Sequence, residues 1–102
     1  MNEFKVGGYV VSAAGHDSGK YYVIFQIDSE YVYLVDGKIR PLNNPKKKKI
    51  KHVEMLEQSN QTLSDKISNK TVKNEEIKRA IKLLQHSNAS KGGQSLQKDK
   101  ET

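Results

Sequence analysis

The chain has no cysteine, no tryptophan, only two prolines and no apolar run longer than five residues. Without thiols there is neither a disulfide framework nor a thiolate zinc site to hold a small domain together. A reducing, cytoplasmic setting is therefore expected. The first residues mix Glu3 and Lys5 with short apolar stretches, and nothing reaches the length of a signal h-region or a membrane span. The expectation is a soluble intracellular protein with no membrane partner. Aromatic residues are also missing from most of the chain, because all seven lie between Phe4 and Tyr33. The first half can bury a core and the second half has little to bury.

Charge is unevenly placed. Residues 1–35 carry Lys5 and Lys20 against Glu3, Asp17, Asp28 and Glu30, a balance of −2. Residues 36–53 carry Lys38, Arg40, Lys46, Lys47, Lys48, Lys49 and Lys51 against Asp36 alone, a balance of +6 that equals the formal charge of the whole chain. One short segment holds the positive field.

The β-prone text comes in short pieces. Val6 to Ser12, with Tyr9, Val10 and Val11 as its β-prone run, reads as a first strand, Tyr21 to Asp28 as a second with both faces apolar early, and Tyr31 to Val35 as its hairpin partner. Asp36-Gly37 is the strongest hairpin signal, after which Lys38 to Leu42 reads as a fourth strand, with Pro41 near its end. Asn43-Asn44-Pro45 turns the chain, Lys46 to Lys49 should repel itself and stay solvated, and Ile50 to Met55 reads as a closing strand or an extended segment. Five short strands in about fifty residues suggest a mainly β fold, a small SH3-like or OB-like barrel over residues 1–56. A fragment of those residues is expected to fold alone. Residues 57–73 read as a polar linker. Asn74 then suits an N-cap, with Glu75 and Glu76 in the first turn and Ile77, Ala80, Ile81 and Leu84 on one stripe. That short amphipathic helix should end near Gln85 or His86, leaving residues 87–102 as a disordered tail.

The stretch Gly15-His16-Asp17-Ser18-Gly19-Lys20 between the first two strands carries the binding argument. Two glycines four apart allow positive φ twice, and Asp17 and Ser18 can hold the bend through main-chain hydrogen bonds. It is no P-loop, being one residue short between glycines, having Tyr21 where Ser or Thr is needed, and leading into a strand. Three consecutive residues cannot form a catalytic relay, so His16, Asp17 and Ser18 are no triad. His16, His52 and His86 share no metal-ligand spacing. No enzyme activity, metal or cofactor is expected. A lysine run is ordinarily a solubilising face, but here it adjoins a domain that is otherwise acidic, and clustered charge beside a folded surface attracts phosphates. Tyr21, Tyr22, Tyr31 and Tyr33 read as packing residues before stacking platforms.

Residues Val6 to Leu56 resemble a KOW domain, and within that group the archaeal and eukaryotic-type large-subunit ribosomal protein fourteen family. Val6-Gly7, Ala14 to Tyr21, Val23-Ile24-Phe25-Gln26-Ile27, Tyr31 to Gly37 and Ile50 to Glu54 carry the likeness. Ser18 departs from it, standing where many KOW loops have lysine, and the text from Glu57 onward matches nothing in the family. The resemblance implies an SH3-like barrel that binds RNA, with ribosomal RNA or the ribosome as partner. The expected RNA-binding residues are Gly15, His16, Asp17, Ser18, Gly19, Lys20, Lys38, Arg40, Lys46, Lys47, Lys48, Lys49, Lys51 and His52. The alternative is an SH3-like protein-interaction module whose lysines keep it soluble, and the helix from Asn74 to Gln85 can dock on a protein partner.

Overall fold

A computed structural model of the chain describes residues 4–16, 18–56, 58 and 60–92. It contains β1 (Tyr9–Ser12), β2 (Tyr21–Ile27), β3 (Tyr31–Val35), β4 (Lys46–Lys49), a 3₁₀ turn (Ile50–His52), β5 (Val53–Met55), α1 (Gln61–Ser68) and α2 (Asn74–Gly92). The strands form one antiparallel sheet in the order β4-β3-β2-β1-β5. The expected closed barrel is met in part: the sheet has five strands, but β4 and β5 are its edges and do not pair with each other.

Chain length forces the sheet to curl. Five flat strands would set the edges roughly 19 Å apart, whereas the link from Lys49 to Val53 spans about 14 Å even at full extension. Val10, Tyr22, Ile24, Val32, Leu34 and Val53 fill the concave side. A bulge keeps β2 in register with this cluster. β2 carries one more residue than β3 between the Ile24↔Leu34 and Ile27↔Val32 pairs. The extra residue reverses the inward alternation, so Ile24 and Ile27, three apart, both face the concave cluster while Gln26 is exposed.

The other face of the sheet is covered by the helices. Tyr9, Val23 and Val35 share a core with Leu63 and Ile67 of α1 and with Ile77, Ala80, Ile81 and Leu84 of α2. The stripe legible in the sequence is thus the stripe that packs. The text expected to be a linker holds α1, capped by Asn60, whose side chain accepts from the Leu63 N–H, and closed at its other end by Lys70 at φ 62. There the Thr71 N–H bonds the Lys66 carbonyl and the Lys70 N–H that of Ile67, a Schellman closure with lysine where glycine is usual. α2 extends past His86 to Gly92, and the rest of the expected tail lies outside the described residues. Its N-cap position is Lys73 and not Asn74: Glu76 reaches back to the Lys73 N–H at 2.9 Å and also pairs with Lys66. The Lys66 hydrogen bond, with that N–H, holds the Glu76 carboxyl below its ordinary range.

The lysine run is β4 itself, and Lys38 to Leu42 is not a strand. Lys46 lies opposite Leu34 and Lys48 opposite Val32, so both side chains rise on the concave side and are half-buried. Lys47 and Lys49 point the other way and are exposed. Lys47 Nζ sits 4.3 Å from the centroid of the Tyr31 ring.

The helices share a core with the sheet, and a chain ending at Leu56 would leave Tyr9, Val23 and Val35 uncovered. Ile77 is fully buried at that junction. Ile77→Ala should lower stability by about 2 to 5 kcal/mol in urea unfolding followed by far-UV circular dichroism, with sheet and helix lost in one transition. A variant that melted α2 and left the sheet at wild-type stability would make the helix an appendage.

Candidate nucleic-acid interface

Two loops meet at one end of the sheet. The first joins β1 to β2, and its base is closed by the Ser12 N–H on the Lys20 carbonyl at 2.9 Å and the Gly19 N–H on the Ser12 carbonyl at 2.8 Å. Gly15 and Gly19 take φ of 87° and 88°, as the glycine spacing requires. Ser18, whose N–H bonds the Gly15 carbonyl, is exposed with Gly15, His16 and Lys20; Asp17 lies outside the described residues. Lys48 reaches across from β4 and donates to the Ala14 carbonyl at 3.0 Å, which ties the edge strand to this loop.

The second loop follows β3 and is fixed from both sides. Asp36 Oδ1 accepts from the N–H groups of Lys38 and Arg40, each at 2.8 Å, while the Arg40 carbonyl accepts from the N–H groups of Asp36 and Gly37. Those bonds consume the donors that a β-ladder would need, which is why the β-like text after Gly37 forms a closed turn. The turn is seated on α2. Asn74 Oδ1 accepts from the Leu42 N–H at 2.8 Å, and buried Gly37, at φ 79°, lies so close that an added Cβ would strike the Asn74 carbonyl and the Lys78 side chain.

Between these loops, β4 and α2 lies a groove of about 790 Å³. Six cationic side chains line it: Lys20, Lys38, Arg40, Lys46, Lys78 and Lys82. Among the described residues Asp36 is its one carboxylate, and its Oδ1 is already taken up by two backbone donors. Among the described residues, Lys20, Lys38, Arg40, Lys78 and Lys82 have no ion-pair partner. Tyr21, Tyr22, Ile39 and Ile81 give the groove its apolar surface, and His16 and Gly19 stand at its wall. Such a site attracts phosphate oxygens through several cations at once.

Comparison with known proteins gives no relative: the chain matches no family model and no curated protein.

Of the residues expected from the sequence, His16, Gly19, Lys20, Lys38, Arg40 and Lys46 come together there. Lys47 and Lys49 face away from it, exposed Lys51 and half-buried His52 lie in the 3₁₀ turn, and the His52 carbonyl accepts from the Ala13 N–H. Lys78 and Lys82 were missed. They stand four apart beside the Ile77 and Ile81 stripe, a spacing that places both on one helix flank, but only the docking of α2 shows which surface that flank joins. Among the described residues no cluster of three or more histidine or acidic side chains could hold a metal, and no helix is long and apolar enough to cross a membrane.

Two glycines separate shape from contact. Gly37→Ala should cost about 2 kcal/mol or more, since strain at positive φ adds to a clash with α2. Gly19→Ala meets nothing within 4 Å and should cost about 1 kcal/mol from φ alone. Paired urea melts read the difference, and equal losses would mean that the second loop is not wedged against the helix.

Proposed function

We propose that the protein is a non-enzymatic RNA-binding protein, a KOW-type SH3-like barrel extended by two helices, and that its groove holds structured RNA, ribosomal RNA first among the candidates. The single observation that carries this reading is the convergence of six cations from two loops, β4 and α2, with Asp36 as the one carboxylate among the described lining residues. Strands β1 to β4 run as a meander and β5 returns to pair with β1, an order that supports the barrel assignment. The short link across the 3₁₀ turn supports it again, because it draws the two sheet edges toward each other. An intracellular, cytoplasmic site of action belongs to the same proposal.

Counterion release from the cations supplies affinity, and the fixed loops supply the shape that selects among RNAs. A second reading, a protein-interaction module, rests on Leu83, which is 63% exposed on α2 beside Ala80 and Arg79. Nucleic acid that copurifies with the protein and leaves in high salt favours the first reading.

With RNA in the groove, the salt dependence of binding should rest on particular lysines. Lys78→Gln with Lys82→Gln should weaken binding of a ribosomal RNA fragment and lower the log–log salt slope by roughly 0.7 to 0.9 for every phosphate no longer neutralised. Lys47→Gln with Lys49→Gln, on the opposite face, should change the slope less. Fluorescence anisotropy over a salt series checks both pairs, and a slope carried by Lys47 and Lys49 alone would move the interface to the other face of β4.

A further inference from the structure

Ile39 is 68% exposed, the most exposed large apolar side chain among the described residues. Its position is enforced. The turn that carries it is held by the Asp36 carboxylate on two backbone N–H groups, by the Arg40 carbonyl on two more, and by the seating of Gly37 and Leu42 on Asn74. Ile39 therefore cannot withdraw from water by a small backbone adjustment. It stands between Lys38 and Arg40 in sequence and on the wall of a groove whose other apolar members include Tyr21 and Ile81.

We propose that the groove takes a single-stranded segment of RNA, with one unpaired base laid against Ile39 while Lys38 and Arg40 hold the neighbouring phosphates. This rests on the RNA-binding reading and narrows its substrate class. A cationic groove alone would serve a duplex, whose outer surface offers phosphates and sugars with the base faces stacked inside. A loop, bulge or free end exposes base faces, and an apolar side chain fixed between cations matches a base face flanked by phosphates. A purely acidic chain such as polyglutamate would satisfy the cations and leave Ile39 uncovered, so charge and apolar surface together favour the nucleotide over it.

The test uses the full chain, an oligouridylate and an RNA duplex carrying the same number of phosphates, at physiological salt. The oligouridylate should bind more tightly than the duplex. Ile39→Ser should weaken oligouridylate binding by about five- to tenfold, leave duplex binding unchanged and leave the melting temperature unchanged. Ile39→Met, which keeps apolar surface, should retain most of the affinity. If both RNAs bind equally and Ile39→Ser alters neither, the base contact is overturned and the RNA-binding reading stands. If neither RNA binds and polyglutamate does, both readings fall together.

Discussion

The docking of α2 on the outer face of the sheet is the contact on which the rest depends. A helix whose polar face is as charged as this one is marginal alone and needs a surface for its stripe. Ile77, Ala80, Ile81 and Leu84 find that surface in Val23, Val35 and Tyr9, with α1 supplying Leu63 and Ile67. The packing fixes the helix N-terminus, and that terminus in turn holds the loop after β3 through Asn74 and Gly37. Lys78 and Lys82 reach the groove for the same reason that Ile77 and Ile81 reach the core. The stability of the fold and the proposed binding groove therefore share one set of contacts.

β4 shows how four consecutive lysines can serve as a strand. At a sheet edge the strand has partners on one side only, and charge on the other discourages further pairing. Repulsion along the run is reduced because alternate side chains leave on opposite faces. Lys46 and Lys48 lie opposite Leu34 and Val32 and are half-buried, Lys48 ends on the Ala14 carbonyl, and Lys47 lies over the Tyr31 ring. The same alternation splits the run as a binding element, since only the side that carries Lys46 opens on the groove.

Where a segment carries its own apolar pattern, the sequence announces the fold. β1, β2 and β3 lie within residues 9–35, where aromatic and β-branched side chains alternate, and the buried stripe of α2 is the one that helical spacing picks out. Where partners lie far away in the chain, local text misleads. Lys38 to Leu42 looks like a strand, yet the Asp36 carboxylate captures its backbone donors. α1 offers two buried residues, Leu63 and Ile67, and a Schellman closure built on Lys70, so neither periodicity nor glycine marks it. The site divides the same way. Local motifs point to His16, Lys20, Lys38 and Arg40, whereas Lys78, Lys82 and the exposed Ile39 acquire meaning only when α2 and the second loop come together.

If RNA lies in the groove assembled from both loops, the first residue of β4 and the flank of α2, titration of the isotopically labelled full chain with a ribosomal RNA fragment should shift one continuous set of backbone amides. That footprint should run across His16, Lys20, Lys38 to Arg40, Lys46, Lys78 and Lys82, with Lys49 and Lys51 little changed. A footprint confined to Lys47, Lys49 and Lys51, with α2 silent, would place the RNA elsewhere and rule the groove out.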